Sequence, residues 1–224
     1  MEPKTFSENK TNQVKSLESL LFRKMHSLGD RIDLLLVYSG LKPATDITVG
    51  NEWEEGQQPI VLNEEDIKSA LKILEANGLI ALNLPKEKGV IEGIDEGEIN
   101  PSVKYRYEQS EIFVAKDKVT AETLKTAKFK KDDETYGRLS GFPESAIKAY
   151  SEADKNPAAL IEDSDLPEEI RNQDFMAFAT FKLSRKNWRE ELETAKKWAT
   201  VIKKTDPALY EEAVKIYKEI ISIA

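Results

Sequence analysis

Residues 184–224 read SRKNWREELETAKKWATVIKKTDPALYEEAVKIYKEIISIA, and the apolar spacing in this stretch sets the architecture of the C-terminal third. Ser184 is placed to cap a helix over 185–204. Trp188, Leu192, Ala195, Trp198 or Ala199, and Ile202 recur at three- and four-residue steps, the period of one helical face. Asp206-Pro207 then restarts the chain as cap and first helical residue. A second stripe follows in Leu209, Ala213, Ile216 and Ile220, widened by Tyr210, Val214, Tyr217 and Ile221. The connection is too short to carry the chain elsewhere, so the two helices are predicted to pack as an antiparallel hairpin.

Upstream, the pattern changes. Val103-Lys-Tyr-Arg-Tyr107 and Glu111-Ile-Phe-Val-Ala115 alternate at period two. With Glu108-Gln109-Ser110 between them they predict a β-hairpin. Short helices are predicted over 120–127, 132–140 and 143–153, and a turn of helix from Asp165. The apolar run 175–181 fits either a buried strand or a packed connector. Further back, residues 12–28 carry Val14, Leu17, Leu21, Met25 and Leu28 at helical spacing, with Gly29 as the stop. Residues 30–39 read as a second helix capped by Asp30 and closed by Gly40, although the run from Ile32 to Tyr38 also fits a buried strand. Residues 45–59 and 89–100 are rich in acids and glycine and are expected to be loops. Between them, Asn63 opens a helix with Ile67, Ala70, Leu71 and Leu74 inward. Asn77-Gly78 ends it, and 79–84 forms a short strand. The expected fold is therefore α+β and predominantly helical, with a small antiparallel sheet and a C-terminal helical hairpin. Residues 1–12 are expected to fray. A division into 13–88 and 101–224 is possible on composition, as is a single domain.

Composition removes several chemistries. Among 224 residues there is no cysteine and one histidine, His26. That excludes disulfide frameworks, thiol nucleophiles, cysteine zinc sites and iron–sulfur clusters. It also excludes the paired-histidine metal motif. No metal or cofactor is therefore predicted. The longest apolar run, Leu34 to Tyr38, is far short of the ~20 residues that span a bilayer. No signal-peptide pattern opens the chain, which points to the cytoplasm and away from membranes. With Lys+Arg 33 against Asp+Glu 41, the formal charge is −8. The charge is segregated: residues 44–66 hold seven acids and no base, and residues 182–204 hold eight bases against three acids.

The most unusual segment is Tyr136-Gly-Arg-Leu-Ser-Gly-Phe-Pro-Glu-Ser-Ala146. Glycines at 137 and 141 permit close backbone approach, and Pro143 sets the next helix start. One reading is an anion site at that helix start, with Arg138 reaching across. The other is a tight helix–helix corner in which Gly141 ends one helix and Phe142 plugs the core. This segment, preceded by Ile112-Phe-Val-Ala-Lys116, resembles a mostly archaeal family of uncharacterised function. Those proteins read Gly-Lys-Leu-Leu-Gly-Tyr-Pro followed by paired cysteines. The resemblance spans about residues 112–198 and implies a shared fold without naming a reaction. Ser145 and Ala146 stand where the cysteines are expected, so any thiol-based role of that family is absent here.

A second candidate is the basic set Lys182, Arg185, Lys186 and Arg189 around Trp188, expected to share one helical side and grip a phosphate or an acidic partner. The competing reading is the solvated face of an amphipathic helix, with Trp188 and Trp198 in the core. The helix-then-strand outline of 63–82 has the shape of a winged-helix reader. Glu64, Glu65, Asp66 and Glu75 against Lys68 and Lys72 make nucleic acid an unfavoured partner. His26 is expected to be structural, and no acidic run has calcium-loop spacing. Three functions follow in order. The first is a non-catalytic binding protein that holds an anionic small molecule or acidic protein surface through Arg138, Arg185 and Arg189. The second is an enzyme acting on a phosphate- or carboxylate-bearing small molecule, with Glu144 as base in a closed pocket shared with Tyr136 and Arg138. The third is nucleic-acid association through the helix from Arg185. Oligomeric state is not legible in the sequence.

Overall fold

A computed structural model describes residues 27–54, 64–95 and 98–223. His26 and most of the first predicted helix lie outside the described residues. The first described helix, α1 (Leu28–Ser39), begins earlier than expected. Ser27 caps it by accepting from the Asp30 amide at 2.9 Å. Leu28 and Gly29 therefore belong to this helix and do not end a preceding one. Gly40 closes it at φ 79°, a conformation that favours glycine.

The sheet is larger than the sequence reading, because β4 (Glu98–Ala115) is one continuous strand. The expected turn at 108–110 does not form. Its neighbours supply pairing through that region: β1 (Ala44–Glu54) runs antiparallel along one edge, register Ala44↔Ala115 to Glu54↔Tyr105. The other edge is shared by β2 (Ile80–Asn83), which pairs with 112–115, and β3 (Glu87–Asp95), which pairs along 98–109 with a register shift at Glu92/Gly93. Ser110 is buried with its hydroxyl 2.8 Å from both Leu84 O and Asn83 Oδ1, its one proton shared between these acceptors, so a residue type common in turns is satisfied inside a ladder. Where they are described, the predicted loops accordingly give way to strands: 45–54 lies in β1, 89–95 in β3 and 98–100 in β4, while 55–59 and 96–97 lie outside the described residues. Ile47 and Val49 alternate inward on β1; their pairing partner lies some sixty residues away, where local composition gives no signal. Residues on the two sides of 89–100 thus share one sheet.

Both faces of the sheet are covered at one end. Ile112 and Val114 face α1 and α2 (Glu64–Ala76), together with Ile47, Val49, Leu74 and Leu79. Phe113 and Ala115 point the other way, toward Ala121 and Leu124 of α3 (Lys118–Lys130) and the side chains of Tyr136 and Leu139 on α4 (Asp133–Leu139). Helix α1 is buried on two sides. Leu34 and Val37 pack toward the sheet, whereas Ile32, Leu35 and Leu36 join a second core. That core is built from α5 (Glu144–Glu152), the short α6 (Glu168–Arg171), the turn Asp174–Phe178, and the helices α7 (Trp188–Thr205) and α8 (Pro207–Ile223). The run from Phe175 is a packed connector, with Met176 and Phe178 inside. The antiparallel α7–α8 hairpin stands as predicted, with buried Asp206 capping α8 through the Leu209 amide at 2.9 Å. Strands β5 (Leu160–Ile161) and β6 (Leu183–Ser184) make a second, two-stranded sheet.

Gly137 marks a close approach of α4 to α5. A Cβ there would lie 2.8 Å from Ile147 Cγ1 on α5. Gly137→Ala should cost about 1–3 kcal/mol in urea unfolding. The double variant with Ile147→Ala should cost less than the sum of the two single changes.

Candidate functional site

The Gly137–Pro143 segment forms the corner between α4 and α5. Asp132 caps α4 by accepting from the Thr135 amide at 3.1 Å. Gly141 takes φ 72°, and the Phe142 amide returns to Gly137 O at 3.0 Å. Pro143 precedes α5 and fixes its start. Phe142 then plugs the core, 5.7 Å from the Phe181 ring and 6.5 Å from Trp198. The corner reading of this motif describes its backbone. What lies behind the plug was not legible in the sequence.

There, Lys42 is 1% exposed. Its Nζ donates to Asp33 Oδ1 at 2.6 Å and sits 4.5 Å from the Trp198 ring centroid and 5.2 Å from that of Phe142. A Cβ on Gly141 would meet Lys42 Cγ at 3.2 Å. Burial pushes the Lys42 ammonium below its usual range against the opposing pull of Asp33. Burial likewise raises Asp33, opposed by Lys42. In sequence, Lys42-Pro43 marks only the end of the helix or strand over 30–39.

A second polar network lies alongside. The Tyr136 hydroxyl donates to Asp46 Oδ1 at 2.6 Å, and Lys128 Nζ bridges Asp46 and Glu111. Burial and the Asp46 charge push the Tyr136 phenol up. Burial pushes Asp46 up too, yet hydrogen bonds from Lys128 and Tyr136 outweigh it and hold this carboxyl below its usual range. Among the described residues no group of three acids or histidines is arranged to hold a metal.

The three predicted arginines are committed to three different sets of partners. Arg138 grips Glu144 with two hydrogen bonds (Nε 3.1 Å, Nη2 2.8 Å) and also contacts Glu134 at 3.0 Å. That pairing holds the exposed Glu144 carboxyl below its usual range, the opposite of what a general base at neutral pH needs. Tyr136 is turned to Asp46 and does not share a closed pocket with Glu144. Arg185 contacts Ala158 O at 3.1 Å and Asp165 at 3.3 Å. Arg189 lies 4.2 Å over the Trp188 ring. The shared helical face expected for 182, 185, 186 and 189 does not exist, because α7 starts at Trp188. Ser184 lies in β6, and its hydroxyl accepts from the Asn187 amide at 3.1 Å ahead of the helix. Trp188 and Trp198 are both core.

The structure brings two of the predicted residues, Glu144 and Arg185, to one pocket of about 500 Å³. It lies between α5 and residues 184–187. Lys148, Lys186, Asn156 and Asn187 line its polar wall together with Glu152, Ser145 and Ser184. Neither Lys148 nor Lys186 makes an ion pair among the described residues, whereas Glu144 is spoken for by Arg138. Both helix starts at this wall lack a side-chain cap: Glu144 and Ser145 open α5, and Asn187 precedes α7. Underneath sits Glu191, 1% exposed, a residue sequence reasoning passed over. It accepts from Ser145 Oγ at 2.6 Å, Ser184 Oγ at 2.5 Å and the Ser184 amide at 2.7 Å, tying α5 and β6 to α7.

Comparison of the chain with protein-family models, curated proteins and solved structures finds no match. The resemblance over 112–198 therefore rests on the corner motif itself.

Lys42→Met leaves a carboxylate without its partner and should cost about 3–5 kcal/mol, most of it recovered in Lys42→Met/Asp33→Leu. Asp33 has a raised folded-state pKa, so the folded form takes up the proton first as pH falls. With Lys42 gone the rise is larger. The deficit of Lys42→Met relative to wild type should therefore shrink as pH is lowered from neutrality through the folded-state pKa, measured by urea unfolding at stepped pH.

Proposed function

We propose that this protein is a binding protein for a small anionic ligand, phosphate- or carboxylate-bearing, held in the pocket between α5 and residues 184–187. The observation that carries this reading is the meeting of one uncapped helix start, that of α5, with two ammonium groups outside any ion pair among the described residues in one concavity. The first-turn amides of α5 and its dipole favour negative charge there, whereas at α7 the Glu190 and Glu191 amides already donate to Asn187 O at 3.0 Å. Lys148 and Lys186 supply the balancing cations, and the Asn156 and Asn187 side chains add neutral donors.

The roles expected of the arginines change accordingly. Arg185 lines the pocket while tethered to Asp165, so it acts as a positioned donor and a fixed charge. Arg138 acts through Glu144: by neutralising that carboxylate it keeps a negative wall residue from repelling the ligand. Arg189 lies outside this pocket. Glu152 remains as an acid on the wall, which favours a ligand that is small enough to sit toward the lysines.

Isothermal titration of the full chain with inorganic phosphate and pyrophosphate tests the reading. Binding should weaken about tenfold in Lys148→Ala and again in Lys186→Ala, and should fall as salt screens the charges. Arg138→Ala should also weaken it by freeing Glu144. No binding, or equal binding by wild type and the Lys148→Ala/Lys186→Ala double variant, overturns the proposal.

A further inference from the structure

The opposite side of α5 carries a different chemistry. A pocket of about 360 Å³ is walled by the rings of Tyr136, Phe142, Tyr150 and Phe181, with Gly137 and Ile147 among its other lining residues. That volume is at the small end of ligand sites, which are mostly apolar with a few placed polar groups. Gly137 cannot carry a side chain without striking Ile147, so α4 and α5 are in close contact at the base of this pocket.

The polar groups at this pocket sort by their commitments. The Tyr136 hydroxyl is used by Asp46. Lys182 lies 3.7 Å from Glu162. Asp133 has no hydrogen bond or ion pair among the described residues and stands exposed at the rim. Tyr150, on the rim as well, is 51% exposed. Asp133 is thus the lining charge outside any ion pair among the described residues, and it stands beside four aromatic residues, whose ring faces attract cations. The same aromatic cluster already shows that preference on its buried side, where the Lys42 ammonium rests 5.2 Å from the Phe142 ring.

We infer that this aromatic pocket is a second binding site, specific for an organic cation: an ammonium group on a small apolar or aromatic body. The body packs against Tyr150, Phe142 and Phe181, and the ammonium faces Asp133. The inference is independent of the anion pocket, since the two lining sets share no residue and lie on different sides of α5.

The test uses the full chain, with excess pyrophosphate present to occupy the anion pocket, titrated by saturation-transfer NMR with benzyltrimethylammonium, benzyl alcohol and phenylacetate. The cation should bind about tenfold more tightly than the neutral alcohol, and phenylacetate more weakly than either. Asp133→Asn should weaken the cation and leave the alcohol unchanged, whereas Tyr150→Ala should weaken both. Both residues are exposed, so neither change threatens the fold. Phenylacetate binding as tightly as the cation, cation binding unaltered in both variants, or no binding of the cation overturns the inference. Pyrophosphate titrated into the same two variants reports on the other pocket alone, so failure at one site is distinguishable from failure at the other.

Discussion

One ammonium group joins the two halves of this molecule. Lys42 leaves α1 just before β1, yet its side chain turns inward to reach Asp33 on α1, Trp198 on α7 and the Phe142 plug of the α4–α5 corner. Sheet, corner and C-terminal hairpin thus meet at a single charge. Its burial is tolerable because three partners share the work of solvation: a carboxylate at 2.6 Å and two ring faces. The aliphatic stem contributes packing of its own, since Gly141 has room for no Cβ against it without contact at 3.2 Å. Both pockets rest on this arrangement, because α5 forms a wall of each and its start is fixed by the corner that covers Lys42.

The acidic chain organises its cations by commitment. Buried and half-buried ammonium groups, Lys42 and Lys128, hold carboxylates between structural elements. Arg138, Arg185 and Arg189 are used on Glu144, Asp165 and the Trp188 ring, whereas Arg31 on α1 reaches Glu212 on α8 at 2.7 Å. That leaves Lys148 and Lys186 to give the larger pocket its character. A planar guanidinium satisfies two carboxylate oxygens at once, which explains why Arg138 is spent on Glu144. The buried Glu191 is the counterpart on the acidic side: three hydrogen bonds hold it under the pocket and fix Ser145 and Ser184 in the wall.

The sequence was most readable where a segment's structure depends on its own residues. The stripes of α7 and α8 are at helical period because each helix buries one face. Gly40, Gly78 and Gly141 all take positive φ at helix ends, as their positions implied. It was least readable in the sheet. Residues 103–115 alternate in two blocks, and the polar residues between them resemble a turn, yet Ser110 is satisfied by Asn83 and Leu84 from another strand. Strand β1 is acidic and glycine-bearing, and only its pairing with β4 makes it extended. Local pattern cannot report a partner sixty residues away. For the same reason the start of α7 was set at the basic run, although residues 182–187 are held by β5, Ala158 and Glu191 outside any helix.

By itself, then, the sequence determined the fold class, the helical hairpin, and the absence of thiol and paired-histidine chemistry. Each of these follows from residue identity or from a period within one segment. Tertiary structure alone decided which charges remain available. Arg138, Arg185 and Arg189 look alike in a sequence, and so do Lys42, Lys148 and Lys186. Whether such a group is buried against a carboxylate, paired at the surface or left facing a cavity depends on neighbours contributed by other elements, and those neighbours exist only once the chain has folded.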